Sequence, residues 1–152
     1  MQGFRFDTVM FPINFVEQLR FGFGKAVLDL AQEQGVAVLA IKAMSFGGWP
    51  AGAERTRKWW YRSAEEPDEV DMALRFALSQ PGVVSAIPPS FLDLLDKAIE
   101  AAKRLQAITP EETKRLGELA QSCPSIFQKD DSQAGWHRPP RDPLFPRNPH
   151  EG

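Results

Sequence analysis

Three short runs constrain what this chain can fold into more than anything else in it. Phe6 to Phe15 (FDTVMFPINF), Val36 to Ala43 (VAVLAIKA) and Val83 to Pro88 (VVSAIP) are apolar on both alternating sides, the pattern of a strand covered on two faces. Between and after them the apolar period lengthens to that of a helix. Val27, Leu28, Leu30 and Ala31 form one stripe, ended by Gly35, a residue suited to a left-handed helix cap. Pro67 and the acidic residues of EEPDEV open a second helix, with Val70, Ala73, Leu74, Ala77 and Leu78 on its buried side. After the third run, SFLDLLDKAIEAAKRL is helical again, and Ser90 with Asp93 resembles a capping box. A cleaner box, Thr109 with Glu112, starts a last helix that runs to about Gln121. Strands alternating with helices in this order predict βαβ units on a parallel sheet.

The 152 residues suit one domain with its own core. Residues 1–127 form that portion. From Gln128 the chain turns proline-rich and charged with few aliphatics (QKDDSQAGWHRPPRDPLFPRNPHEG), so residues 128–152 are expected to be an extended or disordered tail. A formal charge of −2 provides no overall attraction to nucleic acid or an anionic membrane. Cys123, the single cysteine, has no internal disulfide partner, and no Cys or His cluster has metal-ligand spacing. The start MQGFRFDTVMFP is not a signal peptide, and no apolar run approaches the ~18 residues of a membrane span. The expected setting is the cytoplasm.

In parallel α/β folds, ligands sit at the carboxyl ends of the strands, where loops and helix N-termini present free N–H groups. Here those ends read PINF, KAMSFGGW and IPPSFLD. Ser90 and the first turn after it could hold a phosphate, or Ser90 could simply cap its helix. Lys42 could meet a ligand anion, or reach solvent past apolar neighbours. SFGGWP joins flexible backbone to an aromatic plate, which is also ordinary turn chemistry. RTRKWWYR, Arg55 to Arg62, interleaves cations with aromatics as a base-stacking surface would, but the slightly acidic chain argues against nucleic acid as the partner, and the aromatics serve equally well to cover the sheet end. GFGK at Gly22 lacks the spacing of a phosphate loop. Tyr61 and Cys123 read as packing residues, and both histidines, His137 and His150, fall in the tail.

Taken in order, FDTVMFPINF, GVAVLAIKAMSFGGW, WWYR, ALRFALSQPGVVSAIPPS and ITPEETKRLGELA resemble the carboxyl-terminal part of the aldo/keto reductase superfamily, from Phe6 to about Phe127. The resemblance implies a partial TIM (β/α)8 barrel, with the three runs as strands six, seven and eight. It also implies NAD or NADP as cofactor and a small carbonyl as substrate. Carried over by position, Lys42, Ala43, Met44, Ser45 and Gly47 would flank the cofactor's pyrophosphate and nicotinamide side, and Pro88, Pro89, Ser90 and Phe91 its adenosine phosphate side. Two departures follow. The family's catalytic tyrosine, lysine, aspartate and histidine lie on earlier strands that this chain does not contain, so no catalytic residue is assigned. Where NADP-selective members carry a lysine and an arginine, this chain has Pro89 and Leu95. A whole barrel needs roughly 200 residues or more, so the chain is expected to be a fragment, a truncated product or one piece of a split enzyme. Three strands alone would leave two unpaired edges and an apolar inner face open to water. Such a unit should oligomerise or dock on a complementary half barrel.

Overall fold

Local residue choices produce most of the elements. The computed structural model describes residues 4–127, so the tail expected at 128–152 lies outside the described residues. Strand β1 covers Thr8–Pro12, β2 Ala37–Ile41 and β5 Val83–Ile87. They form a three-stranded parallel sheet in the order β1-β2-β5. Helix α2, Lys25–Gln34, precedes β2 and ends at Gly35 with φ 66°, where an L side chain would be strained. Helix α3, Pro67–Leu78, starts with Pro67 in its first turn and buries Val70, Ala73, Leu74, Phe76 and Ala77. Helix α4 covers Leu92–Ala102 and α5 Pro110–Ala120. The alternation is that of a segment of a (β/α) barrel. None of the helices among the described residues is long and apolar enough to cross a membrane.

The structure departs from the sequence reading after the first strand and after the second. The apolar run to Phe15 is not one strand. The strand stops at Pro12, and the Asn14 side chain accepts a hydrogen bond from the Glu17 N–H at 3.0 Å, capping helix α1, Phe15–Phe21. Phe15, Val16 and Glu17 are then buried in the core rather than in a sheet. Glu17, only 1% exposed, accepts from the Ser125 hydroxyl and the Ile126 N–H, each at 2.8 Å, while Arg20 donates to the Cys123 carbonyl at 2.6 Å. Helix α1 thereby clasps the segment that follows α5. The second departure is a short antiparallel pair, β3 (Ser45–Gly48) with β4 (Tyr61–Ser63), where sequence suggested only turns.

The two capping boxes split. At Thr109 the box is complete, with Glu112 N–H donating to Thr109 Oγ1 at 3.1 Å and Thr109 N–H donating to Glu112 at 2.9 Å. The same Glu112 carboxylate takes two bonds of 2.7 Å from Arg75, and that guanidinium holds its pKa down at about 2. At α4, Phe91 rather than Ser90 is the cap, without a side-chain bond.

The helices cover one face of the sheet. Val38 and Ala40 on that face are fully buried, with Val9 and Phe11 of β1 and Val83 and Ala86 of β5 beside them. Among the described residues no element covers the opposite face, contrary to the doubly buried pattern of the strands. Met10 is 57% exposed, Val84 64% and Ile87 41%.

Candidate functional site at the carboxyl ends of β2 and β5

Lys42 is where β2 stops being a strand. Its φ of 57° is the one positive value at a non-glycine position among the described residues, a conformation that costs about 1–2 kcal/mol for an L side chain. Its carbonyl accepts from the Ser45 N–H at 2.9 Å, closing a turn. That turn separates the residues on either side of it. Ala43, Met44 and Ser45 point into the core, all fully buried. The Lys42 side chain instead stays at the rim, with Nζ 5.4 Å from the Trp60 ring centre and 5.9 Å from that of Phe127.

Behind the turn, Ser45 Oγ accepts from the Gly47 N–H at 3.1 Å, and the Gly48 N–H donates to the Pro124 carbonyl at 2.7 Å. The glycine pair is thus the seat of the segment clasped by α1. Gly47 has φ 83°, and a Cβ placed on it would lie 2.3 Å from the Pro124 oxygen. Ala43, Met44, Ser45 and Gly47 therefore frame the site from beneath, while Lys42 faces it.

Ile41, Lys42, Ile87, Pro88, Pro89 and Ser90 line an open cleft of about 420 Å³ whose remaining wall is Trp59, Trp60 and Tyr61. The aromatics brace one another edge to face. Trp60 lies 5.0 Å and Trp59 5.7 Å from Tyr61, and Trp59 lies 5.6 Å from Phe91. Such pairs contribute about 0.5–1.5 kcal/mol each beyond area burial. Phe91, the last residue proposed for the adenosine side, supports the wall through Trp59 and is not among the residues lining the cleft. The Trp49 indole donates to the Trp59 carbonyl at 2.8 Å, tying the glycine loop to this wall. The aromatic wall was in view in the sequence both as a base-stacking pattern and as a cover for the sheet end, and it is the second that the structure shows. That the β3–β4 pairing would carry it there was not in view.

The electrostatics are lopsided. Burial lowers the Lys42 pKa, and the amine has no hydrogen-bond or ion-pair partner among the described residues. The start of α4 differs. Arg57 pairs there with the Asp93 carboxylate, lowering its pKa, and also with Glu65 at 2.9 Å, while stacking 4.9 Å over the Phe91 ring. An anion arriving at the α4 N-terminus meets a carboxylate already held by the nearest cation. An anion arriving at Lys42 meets an uncompensated ammonium. Ser90, exposed and without a hydrogen bond among the described residues, remains able to donate into the cleft. Tyr61, 4% exposed, has its phenol pKa pushed up by burial, so it stays protonated and behaves as a wall residue.

A second groove of about 410 Å³ lies on the helix side, lined by Gln18, Phe23, Leu28 and Phe76 among others. Its flanking charges, Lys25 and Asp29, are already paired at 2.6 Å. No group of metal-ligating side chains occurs among the described residues.

No protein-family model matches the chain, and no curated protein matches it. Among solved structures it is similar to the aldo-keto reductase AKR11C1 from Bacillus halodurans. For the holo form the TM-score is 0.47 at 18% identity, over 79% of this chain and 44% of that one. For the apo form it is 0.48 at 18% identity, over 81% and 46%. The chain thus spans less than half the length of these structures.

Proposed function

We propose that the cleft at the ends of β2 and β5 holds part of a nicotinamide dinucleotide, NAD or NADP, and that the chain contributes this half-site to an aldo/keto reductase-like, carbonyl-reducing oxidoreductase. The observation that carries the reading is Lys42, unpaired, at the mouth of a cleft walled by Trp59 and Trp60. A dinucleotide has flat rings joined by a pyrophosphate. Aromatic plates suit the rings, and a lone ammonium suits the phosphate charge. The position at the strand ends is where parallel barrels bind ligands, with phosphates often near the last two strands. Hydride transfer also needs a general acid at the substrate oxygen. Of the groups lining the cleft, Tyr61 is buried and Lys42 is given to the phosphate, so in this reading the cleft binds the cofactor and the general acid comes from elsewhere. The rival reading, a non-catalytic unit that persists by association, rests on the open sheet face.

Tryptophan fluorescence tests the cofactor reading. Titration with NADH or NADPH is expected to quench Trp59 and Trp60 saturably, and Lys42→Met to weaken binding roughly tenfold or more, the scale of one charge-assisted contact. No quenching by either nucleotide at millimolar concentration would sink the half-site.

A further inference from the structure

We propose that the open face and both bare edges of the sheet form an interface for a second copy of this chain, with β1 of one copy running parallel beside β5 of the other. Among the described residues, strands β1 and β5 each pair only with β2. Apart from the Val83 N–H, which donates to the Gln80 carbonyl, their outer N–H and C=O groups are therefore open to a further strand. Edge strands that must remain alone are usually protected by lysine, inward charge or proline. Here neither Thr8–Pro12 nor Val83–Ile87 contains a charged residue, and the edges are blunted only by Pro12, the last residue of β1, and by the irregularity in β5 at Val84, where the pairing with β2 shifts register.

The face between these edges is apolar as well. Met10, Val84 and Ile87 are exposed on it, and Leu39 and Ile41 of β2 are half-buried. The apolar surface continues around the β1 edge, where Phe6, 62% exposed, and Leu30, 51% exposed, line a groove of about 320 Å³. A contiguous patch of this kind marks an interaction surface.

A second copy fits because the two edges are complementary in direction. A twofold axis along the strands sets β5 of each copy beside β1 of the other, parallel at both junctions. One operation then satisfies four edges and turns both apolar faces inward, which removes edges as a closed barrel does. Six strands enclose less space than the eight whose interior is just filled by side chains. Thr8, Ala37 and Ser85, small residues on the inward face, suit that narrower interior. An axis across the strands would join β1 to β1 and leave both β5 edges bare. The charge of −2 per chain opposes the pairing only weakly. The inference does not depend on the nicotinamide reading.

Light scattering or sedimentation of the full chain tests it. The expected mass is twice the 17.0 kDa of one chain. Met10→Lys and Val84→Lys, both at exposed positions, should each return the mass to that of one chain with unchanged circular dichroism. Met10→Lys combined with Val84→Glu, which sets opposite charges across each junction, should restore dimer. A wild-type chain that is monomeric at every concentration overturns the proposal, whether residues 128–152 or another protein then covers the face. So does a dimer that survives either single substitution, since it would use one edge only. Nucleotide quenching with a monomeric mass would overturn this pairing while leaving the cofactor site intact.

Discussion

Phe15→Ala should lower stability by about 3–5 kcal/mol, the usual cost of deleting a buried phenylalanine ring. Phe15 is fully buried, 4.9 Å from the Phe46 ring and 6.5 Å from that of Phe76. It joins three parts of the fold that are distant in sequence: the start of α1, the β3 strand under the cleft and the core face of α3. Its ring neighbours Phe46 and Phe76 are themselves buried, so the gap it would leave closes only in part. For a chain of this size, each kcal/mol moves the melting temperature by roughly 2–4 °C. Thermal unfolding should therefore shift down by roughly 6–20 °C. A change of only a few degrees would mean that the ring is not the junction described.

Gly47→Ala should be nearly as damaging although it adds a single methyl group. The left-handed φ of 83° costs an alanine about 1–2 kcal/mol. The new Cβ also falls 2.3 Å from a backbone oxygen, that of Pro124, which cannot rotate out of the way as a side chain could. The segment from Cys123 to Phe127 would have to lift from β3, breaking the 2.7 Å bond from Gly48 N–H to Pro124. Thermal unfolding should report a loss of roughly 2–4 kcal/mol. A second readout separates this from a general loss of stability. Phe127 lies over Lys42, so the folded variant should bind nucleotide differently from wild type. Gly52→Ala, where φ is 75° but nothing lies within 4 Å, is the control for backbone strain alone.

These two positions also show what could be read from the chain and what could not. The α2 helix with its Gly35 cap and the Thr109 box were legible because each depends on residues close together in sequence, and the parallel sheet because its strands are apolar runs alternating with helical patterns, although their pairings are distant. Helix α1 was not. Its first residue, Phe15, was read as the end of the apolar run FDTVMFPINF, and the break from strand to helix shows only once Asn14 is seen capping Glu17. The β3–β4 pair was hidden for a different reason. Ser45 and Ser63 are partners across a long excursion, and nothing local in either segment announces the pairing. Ser90 and Asp93 had the spacing of a cap, but Arg57, more than thirty residues earlier, recruits the aspartate.

The candidate site divides in the same way. Lys42 at the carboxyl end of β2 followed from the end of an apolar run, and Pro88 to Ser90 at the end of β5 from the third. That the turn at Lys42 would send Ala43, Met44 and Ser45 into the core depends on a positive φ that lysine seldom adopts. The aromatic wall depends on the unforeseen hairpin. Residues proposed as one continuous loop around the cofactor therefore become two groups, one facing the cleft and one supporting it.

Backbone and indole NMR shifts during titration with NADH test the central claim most directly. If the cleft binds the nucleotide, the largest perturbations should fall on Lys42, Trp59, Trp60 and Ser90, with smaller ones at Gly47 and Gly48 transmitted through the loop. Perturbations confined to the groove around Gln18 and Leu28, or none at all with the fold intact, would contradict it.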